Sequence, residues 1–122
     1  MPNLEQIKAS VALKEEIVKS DPKENGERKK LNFGHTFGHA LESFSHQQEA
    51  PLSHGHCVAL GMVVALELSK SELSFPSAQA KEIQSCLLEI DAWPSFQLEE
   101  EVFRILVLGD KKNRGEVINM VL

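Results

Sequence analysis

The stretch Lys29–Ser43, KKLNFGHTFGHALES, combines helical spacing with a pair of histidines. His35 and His39 are four residues apart, so on an α-helix they would share one face, about 6 Å apart. Neutral imidazole is a good ligand for Zn²⁺, Co²⁺ or Fe²⁺, but a bare HxxxH without the glutamate of HExxH is a weak signal. Gly38 between them is costly inside a helix and indicates close approach of backbone or ligand. The spacing leaves metal ligands, acid–base groups and packing residues open.

A second histidine cluster follows at Pro51–Met62, PLSHGHCVALGM, where His54 lies at the predicted start of a helix. Two imidazoles from different helices could meet at one ion, and a catalytic site would then need a third protein ligand and an open position. The candidates for that ligand within the chain are His39, Glu42 and His56. For Glu42, the favoured interpretation is a carboxylate that is exposed to solvent, or one that contacts a metal ligand without binding the metal itself.

Composition limits the possible partners. The chain has 122 residues, 42% hydrophobic and 25% charged, which suits one folded domain rather than a disordered segment. Its formal net charge of −5 argues against binding nucleic acid through bulk charge. The N-terminus is polar and shows no signal peptide. The longest apolar run, Cys57–Leu68, is short and contains Glu67, so we expect no membrane partner.

The two cysteines, Cys57 and Cys86, have a spacing that fits neither a zinc motif nor a disulfide framework. Both lie in apolar, helix-like stretches. We therefore predict two reduced core thiols in a cytoplasmic protein.

Hydrophobic periodicity and turn signals predict a mainly α chain that ends in a short strand. We expect residues 1–122 to form a single helical domain. The strand, VINMVL at 117–122, has no evident pairing partner. The predicted helices are Leu4–Lys19, a second that starts near Glu27 or Asn32 and ends at about Phe44, His54–Ser71, Pro76–Ile90 and Leu98–Leu106.

Four blocks, read in order, resemble the C-terminal half of the 3-dehydroquinate synthase family: SVALKEEIV, DPKENGERKKLNFGHTFGHALE, SHGHCVALGM and DKKNRGEVINMVL. They run from about Ser10 to Leu122. The resemblance implies a multi-helix, metal- and substrate-binding domain, with an NAD-binding α/β domain expected before Met1. It also implies an active site between the two domains that holds a divalent metal, usually zinc, and an enzyme that is commonly a homodimer.

The reaction that this resemblance implies starts from 3-deoxy-D-arabino-heptulosonate 7-phosphate. One site oxidises C5 with NAD⁺, eliminates phosphate, returns the hydride, opens the ring and closes the carbocycle. The product is 3-dehydroquinate, in the shikimate route to aromatic compounds. Because half of the site would lie outside this chain, we expect no turnover from the chain alone.

The resemblance also divides the histidines and the basic residues by role. His35 and His54 resemble the two histidine ligands of the metal (Zn²⁺ or Co²⁺), and the third ligand is a glutamate expected before Met1. The other matched positions contact the substrate or organise the site: His39, Asn32 and Lys111 for the phosphate end, Lys14 and Arg28 for the carboxylate, and Glu24 as an organising acid.

Departures from the family pattern keep other functions open. His56 stands where the family usually has Glu or Asp, and no nucleotide-binding glycine loop is present. The alternatives are a related sugar phosphate cyclase, a fragment of an iron-dependent alcohol dehydrogenase, and a non-catalytic remnant or interaction domain. Arg28, Asn32 and His39 together favour the synthase, because related cyclases tend to alter one or more of these positions.

Overall fold

A computed structural model of the chain describes residues 2–89 and 120–122. Its regular elements are all helical in this part of the chain, which confirms the mainly α class. Met120–Leu122 are irregular, so the C-terminal strand is not confirmed; the rest of that strand and the predicted fifth helix lie outside the described residues. The helices are α1 (Leu4–Ser20), a 3₁₀ helix (Glu27–Asn32), α2 (His35–Ser45), α3 (His54–Leu73) and α4 (Ser77–Leu88).

The chain divides into two compact units, Met1–Asn32 and Phe33–Leu122. In the first unit, α1 contacts the 3₁₀ helix. Asn3 and Gln6 form a capping box at the start of α1, each side chain accepting a hydrogen bond from the other residue's backbone N–H at 2.9 Å. No side chain of α1 is buried in the described structure, and four of its apolar residues are exposed: Leu4, Ile7, Val11 and Leu13.

In the second unit, α2 packs on α3 with backbone against backbone. A Cβ atom at Gly61 would lie 2.1 Å from the carbonyl oxygen of Gly34 and 2.7 Å from the backbone nitrogen of Gly38. A Cβ at Gly38 would lie 2.9 Å from the Cα of Val58. The close backbone approach predicted from Gly38 is therefore confirmed, and α3 is the element that approaches it.

The second predicted helix is divided in the structure. A 3₁₀ segment ends at Asn32, and α2 begins at His35 after Gly34, whose φ of 77° lies in the left-handed region. A residue with a side chain is strained there, and a Cβ would also lie 2.6 Å from the side chain of Met62. Gly34 therefore fixes where α2 begins and brings it close to α3.

The core of the second unit is built around α3. Its apolar side chains pack with Ala40 and Leu41 of α2 and Ala80 of α4, as expected for a helix that is apolar almost all round. Among the described helices, none combines the length and apolar character needed to cross a membrane. The buried hydrophobic residues of α3 are Cys57, Val58, Ala59, Ala65 and Leu66.

Helix α4 begins one residue later than predicted, with Pro76 as the residue before its first turn. It is joined to α3 by Gln84, whose amide nitrogen donates to the carbonyl oxygen of Val63 at 3.2 Å and to Glu67 at 2.7 Å. Cys57 is buried as predicted, but the prediction of a core position for Cys86 is wrong, since Cys86 is exposed. The α4 face that carries it is not the face that packs on α3.

Candidate metal centre

Three imidazole rings converge where α2 and α3 begin. His35 and His39 lie one turn apart at the start of α2, and His54 is the first residue of α3. The ring centroids are 5.4 Å apart for His35–His39, 5.7 Å for His35–His54 and 5.8 Å for His39–His54. Each ring offers one nitrogen to a group whose members all lie within 4.8 Å of one another. Small side-chain movements would let such a set hold one ion.

The loop before α3 helps to place His54. The Ser45 hydroxyl accepts a hydrogen bond from the backbone N–H of Leu52 at 2.5 Å, which ties the end of α2 to the end of the loop. Ser53 then caps α3, with its side chain accepting from the backbone N–H of His56. These contacts fix the residue at which α3 begins, and hence the position of His54.

Glu42 contacts His54 from the neighbouring helix, with 2.9 Å between Glu42 Oε2 and His54 Nδ1. The side chains are 25% and 54% exposed respectively, so the pair is partly shielded from water. The hydrogen bond to His54 lowers the pKa of Glu42, which is therefore an ionised acceptor at neutral pH. His54 Nδ1–H donates to it, which leaves Nε2 as the ring nitrogen with a lone pair.

His35 follows the same pattern with a backbone partner. Its Nδ1 lies 3.3 Å from the carbonyl oxygen of Phe33, which can only accept, so Nδ1–H is the donor in this contact and Nε2 is the ring nitrogen with the lone pair. Metal-bound histidines usually donate their second ring N–H to a carboxylate or a carbonyl. His35 and His54, the two predicted metal ligands, both meet this condition.

The three candidates for a further ligand are separated by the geometry. His39 lies within the imidazole cluster, although the family resemblance gives it a phosphate contact instead. Glu42 contacts His54, and the half-buried His56 places its Nδ1 2.9 Å from the hydroxyl oxygen of Ser53. Within the described residues, neither of them belongs to the cluster. An all-imidazole set suits Zn²⁺ or Co²⁺, so the residues present fit the implied metal.

Two of the predicted anion-binding residues, Arg28 and Asn32, lie on the 3₁₀ helix of the first unit. Asn32 donates from Nδ2 to Glu24 Oε1 at 2.5 Å, and Arg28 donates from Nη1 to the carbonyl oxygen of Pro22 at 2.9 Å. Lys14 is exposed on α1, and Lys111 lies outside the described residues. Glu24 therefore holds the side-chain amide of Asn32 in place, and its role as an organising acid stays a prediction.

Sequence reasoning missed the role of Asp21, which organises this turn. Its carboxylate accepts from the backbone N–H groups of Asn25 at 2.9 Å, Gly26 at 2.7 Å and Arg28 at 3.1 Å. The bonds to Asn25 and then Gly26 lower the pKa of Asp21. The signal was present, because Asp followed by Pro and then Asn-Gly is typical of a turn closed by the Asp side chain.

Comparison with known proteins identifies the family of this chain. A family model described as 3-dehydroquinate synthase C-terminal matches residues 2–113, and the chain belongs to this family. It is 44% identical over 114 residues to the 3-dehydroquinate synthase of Parabacteroides distasonis, covering 93% of this chain and 32% of that protein. It is 38% identical over 117 residues to that of Campylobacter concisus, covering 95% and 33%.

A larger protein also carries a matching segment. The pentafunctional AROM polypeptide 2 of Lodderomyces elongisporus is 34% identical over 128 residues, covering 98% of this chain and 8% of that protein. The chain thus spans about a third of the length of the bacterial relatives and a small part of the pentafunctional one. No solved structure matches the chain significantly.

Proposed function

We propose that this chain supplies the metal-binding and phosphate-contacting part of a 3-dehydroquinate synthase. The whole enzyme would convert 3-deoxy-D-arabino-heptulosonate 7-phosphate to 3-dehydroquinate and phosphate, in the cytoplasmic shikimate route to aromatic compounds. The observation that carries this proposal is the convergence of His35, His39 and His54 in a member of this family.

The second unit would hold the metal. His35 and His54 would bind Zn²⁺ or Co²⁺ through Nε2, since each directs Nδ1 to an oxygen acceptor. A glutamate from the part of the enzyme that this chain does not cover would be the third protein ligand. Such a metal would act as a Lewis acid that lowers the pKa of a substrate hydroxyl. His39 would contact the phosphate group rather than the metal.

The first unit would bind the substrate through its charges. Arg28 would hold the carboxylate with two parallel hydrogen bonds, and Lys14 would add a point charge. Asn32, oriented by Glu24, would donate to phosphate oxygens, as would Lys111. Much of the catalysis would be positioning, because the leaving phosphate can itself accept the proton that must be removed.

NAD⁺ would be bound mainly by the part of the relatives that this chain does not cover. We therefore expect the chain to release no phosphate alone, even with substrate, NAD⁺ and Zn²⁺ present. The whole enzyme would be a homodimer, as is common in the family.

A chimera tests this proposal. The segment of the Parabacteroides distasonis enzyme that matches this chain is replaced by this chain, and phosphate release is measured with substrate, NAD⁺ and Zn²⁺. We expect metal-dependent turnover. His35→Ala and His54→Ala should each lower it by about 10²–10³-fold, because Lewis-acid stabilisation contributes several kcal/mol.

Glu49→Ala provides the matched control, because Glu49 is an exposed residue of the loop between α2 and α3. It should leave turnover unchanged. A folded chimera that releases no phosphate, or that keeps full activity without His35 or His54, would contradict the proposal. A folded but silent chimera would favour the interpretation as a non-catalytic interaction domain.

A further inference from the structure

We propose that Glu42 is a positioning residue: its carboxylate holds His54 as the Nδ1–H tautomer and keeps Nε2 free to bind a metal. The tautomer can be examined without metal or substrate. The consequence for metal binding rests on the function proposed above.

The geometry separates this role from direct ligation. Glu42 is on α2 and His54 on α3, so the 2.9 Å contact joins two helices rather than two turns of one helix. Within the described residues, the cluster of potential metal ligands consists of the three histidines and does not include the Glu42 carboxylate. Glu42 is the less exposed partner, at 25%, which favours a persistent contact over a mobile surface pair.

The chemistry of imidazole makes this contact directional. A neutral ring has one N–H donor and one lone-pair acceptor, and an ionised carboxylate can only accept. The partner of Nδ1 therefore determines which nitrogen keeps its lone pair. A carboxylate that accepts from the second ring N–H of a histidine ligand also raises the basicity of the metal-binding nitrogen. Loss of such a partner typically lowers metal affinity about 10–100-fold.

The tautomer can be measured directly from the ¹⁵N chemical shifts of the imidazoles. The 122-residue chain is studied without metal at about pH 8, above the usual imidazole pKa of about 6.5. We expect His54 to be protonated at Nδ1 in the wild type and to shift toward the Nε2–H form in Glu42→Ala. Glu49→Ala should not change it. The proposal would be overturned if His54 of the wild type were protonated at Nε2, or if His54 of Glu42→Ala kept the tautomer of the wild type.

Metal affinity provides the second measurement, with Co²⁺ as the probe. Glu42→Ala should weaken Co²⁺ binding about 10–100-fold. Glu42→Gln should recover part of the loss, because its amide oxygen can still accept from Nδ1–H. The visible absorption bands of bound Co²⁺ should keep their positions in both variants, since the ligands are unchanged.

Shifted Co²⁺ bands would identify Glu42 as a ligand and refute the positioning role. So would an affinity of Glu42→Ala within about twofold of the wild type, well below the loss expected for a supporting carboxylate. If the wild-type chain bound no Co²⁺, the proposed metal site would be in doubt, whereas the ¹⁵N shifts would still decide what Glu42 does to His54.

Discussion

The contact between α2 and α3 at Gly61 can be tested by replacing this glycine with alanine. The added Cβ would lie 2.1 Å from the carbonyl oxygen of Gly34, where an ordinary contact begins at 3.4 Å. The two helices would have to separate by about 1.3 Å, the difference between these distances. Because the opposing atom belongs to the backbone, no rotamer change can relieve the overlap.

The expected cost follows from overpacking, which typically destabilises a protein by about 1–3 kcal/mol. Alanine has the better helix propensity, which offsets about 1 kcal/mol of this cost. We therefore expect a net loss of up to about 2 kcal/mol in the free energy of unfolding. Each kcal/mol corresponds to a fall in Tm of roughly 2–8 °C in domains of about 60–250 residues. Co²⁺ binding should weaken as well, because α2 and α3 carry all three histidines of the cluster.

Urea and thermal unfolding, followed by circular dichroism, measure the change. Gly55→Ala is the matched control, because it makes the same substitution in α3 at a site where a Cβ would meet nothing within 4 Å. Its free energy of unfolding should stay constant or rise by up to about 1 kcal/mol. If Gly61→Ala were as stable as Gly55→Ala, the close packing of α2 on α3 would be refuted.

Two further predictions concern Asp21 and the cysteines. Hydrogen bonds lower the pKa of Asp21 below its ordinary 3.8, so its stabilising effect is present above that value and is lost as the pH falls through the folded-state pKa. Asp21→Asn should therefore be less stable than the wild type in urea at neutral pH, and the difference should shrink in acid; a constant difference would contradict this. Exposed Cys86 should react with a thiol reagent in the folded chain, whereas burial raises the pKa of Cys57 and protects it. Cys86→Ser should abolish the fast labelling, and continued labelling would contradict the burial of Cys57.

The helices that carry the site were predictable because their signals are local. The start of α3 at His54 follows from Ser53, a residue type that caps helices, and from the apolar run that comes after it. The division at Gly34 was not predictable, because the sequence shows neither the positive φ of this glycine nor its closeness to Met62 of α3. The exposure of Cys86 was missed for a similar reason: periodicity identifies α4 but not which of its faces is covered.

The site was predictable only in part from spacing. Helical geometry places His35 and His39 on one face, but spacing cannot bring His54 to them, since that approach requires α2 and α3 to pack closely at Gly61. The contact between Glu42 and His54 depends on the same packing. Resemblance to the family supplied the pairing of His35 with His54 as metal ligands, and this pairing stays a prediction.

The position of His39 is best understood through coordination chemistry. Distance alone does not separate it from the other two rings, because the ligand nitrogens of all three lie within 4.8 Å of one another. A catalytic zinc ion keeps three protein ligands and one open position, whereas four protein ligands close the site. Under the proposed function, His35, His54 and a glutamate already supply three. A metal-bound His39 would then occupy the position that the substrate needs, so the proposed function requires this ring to stay off the ion. Its imidazole would instead contact an anionic group of the substrate.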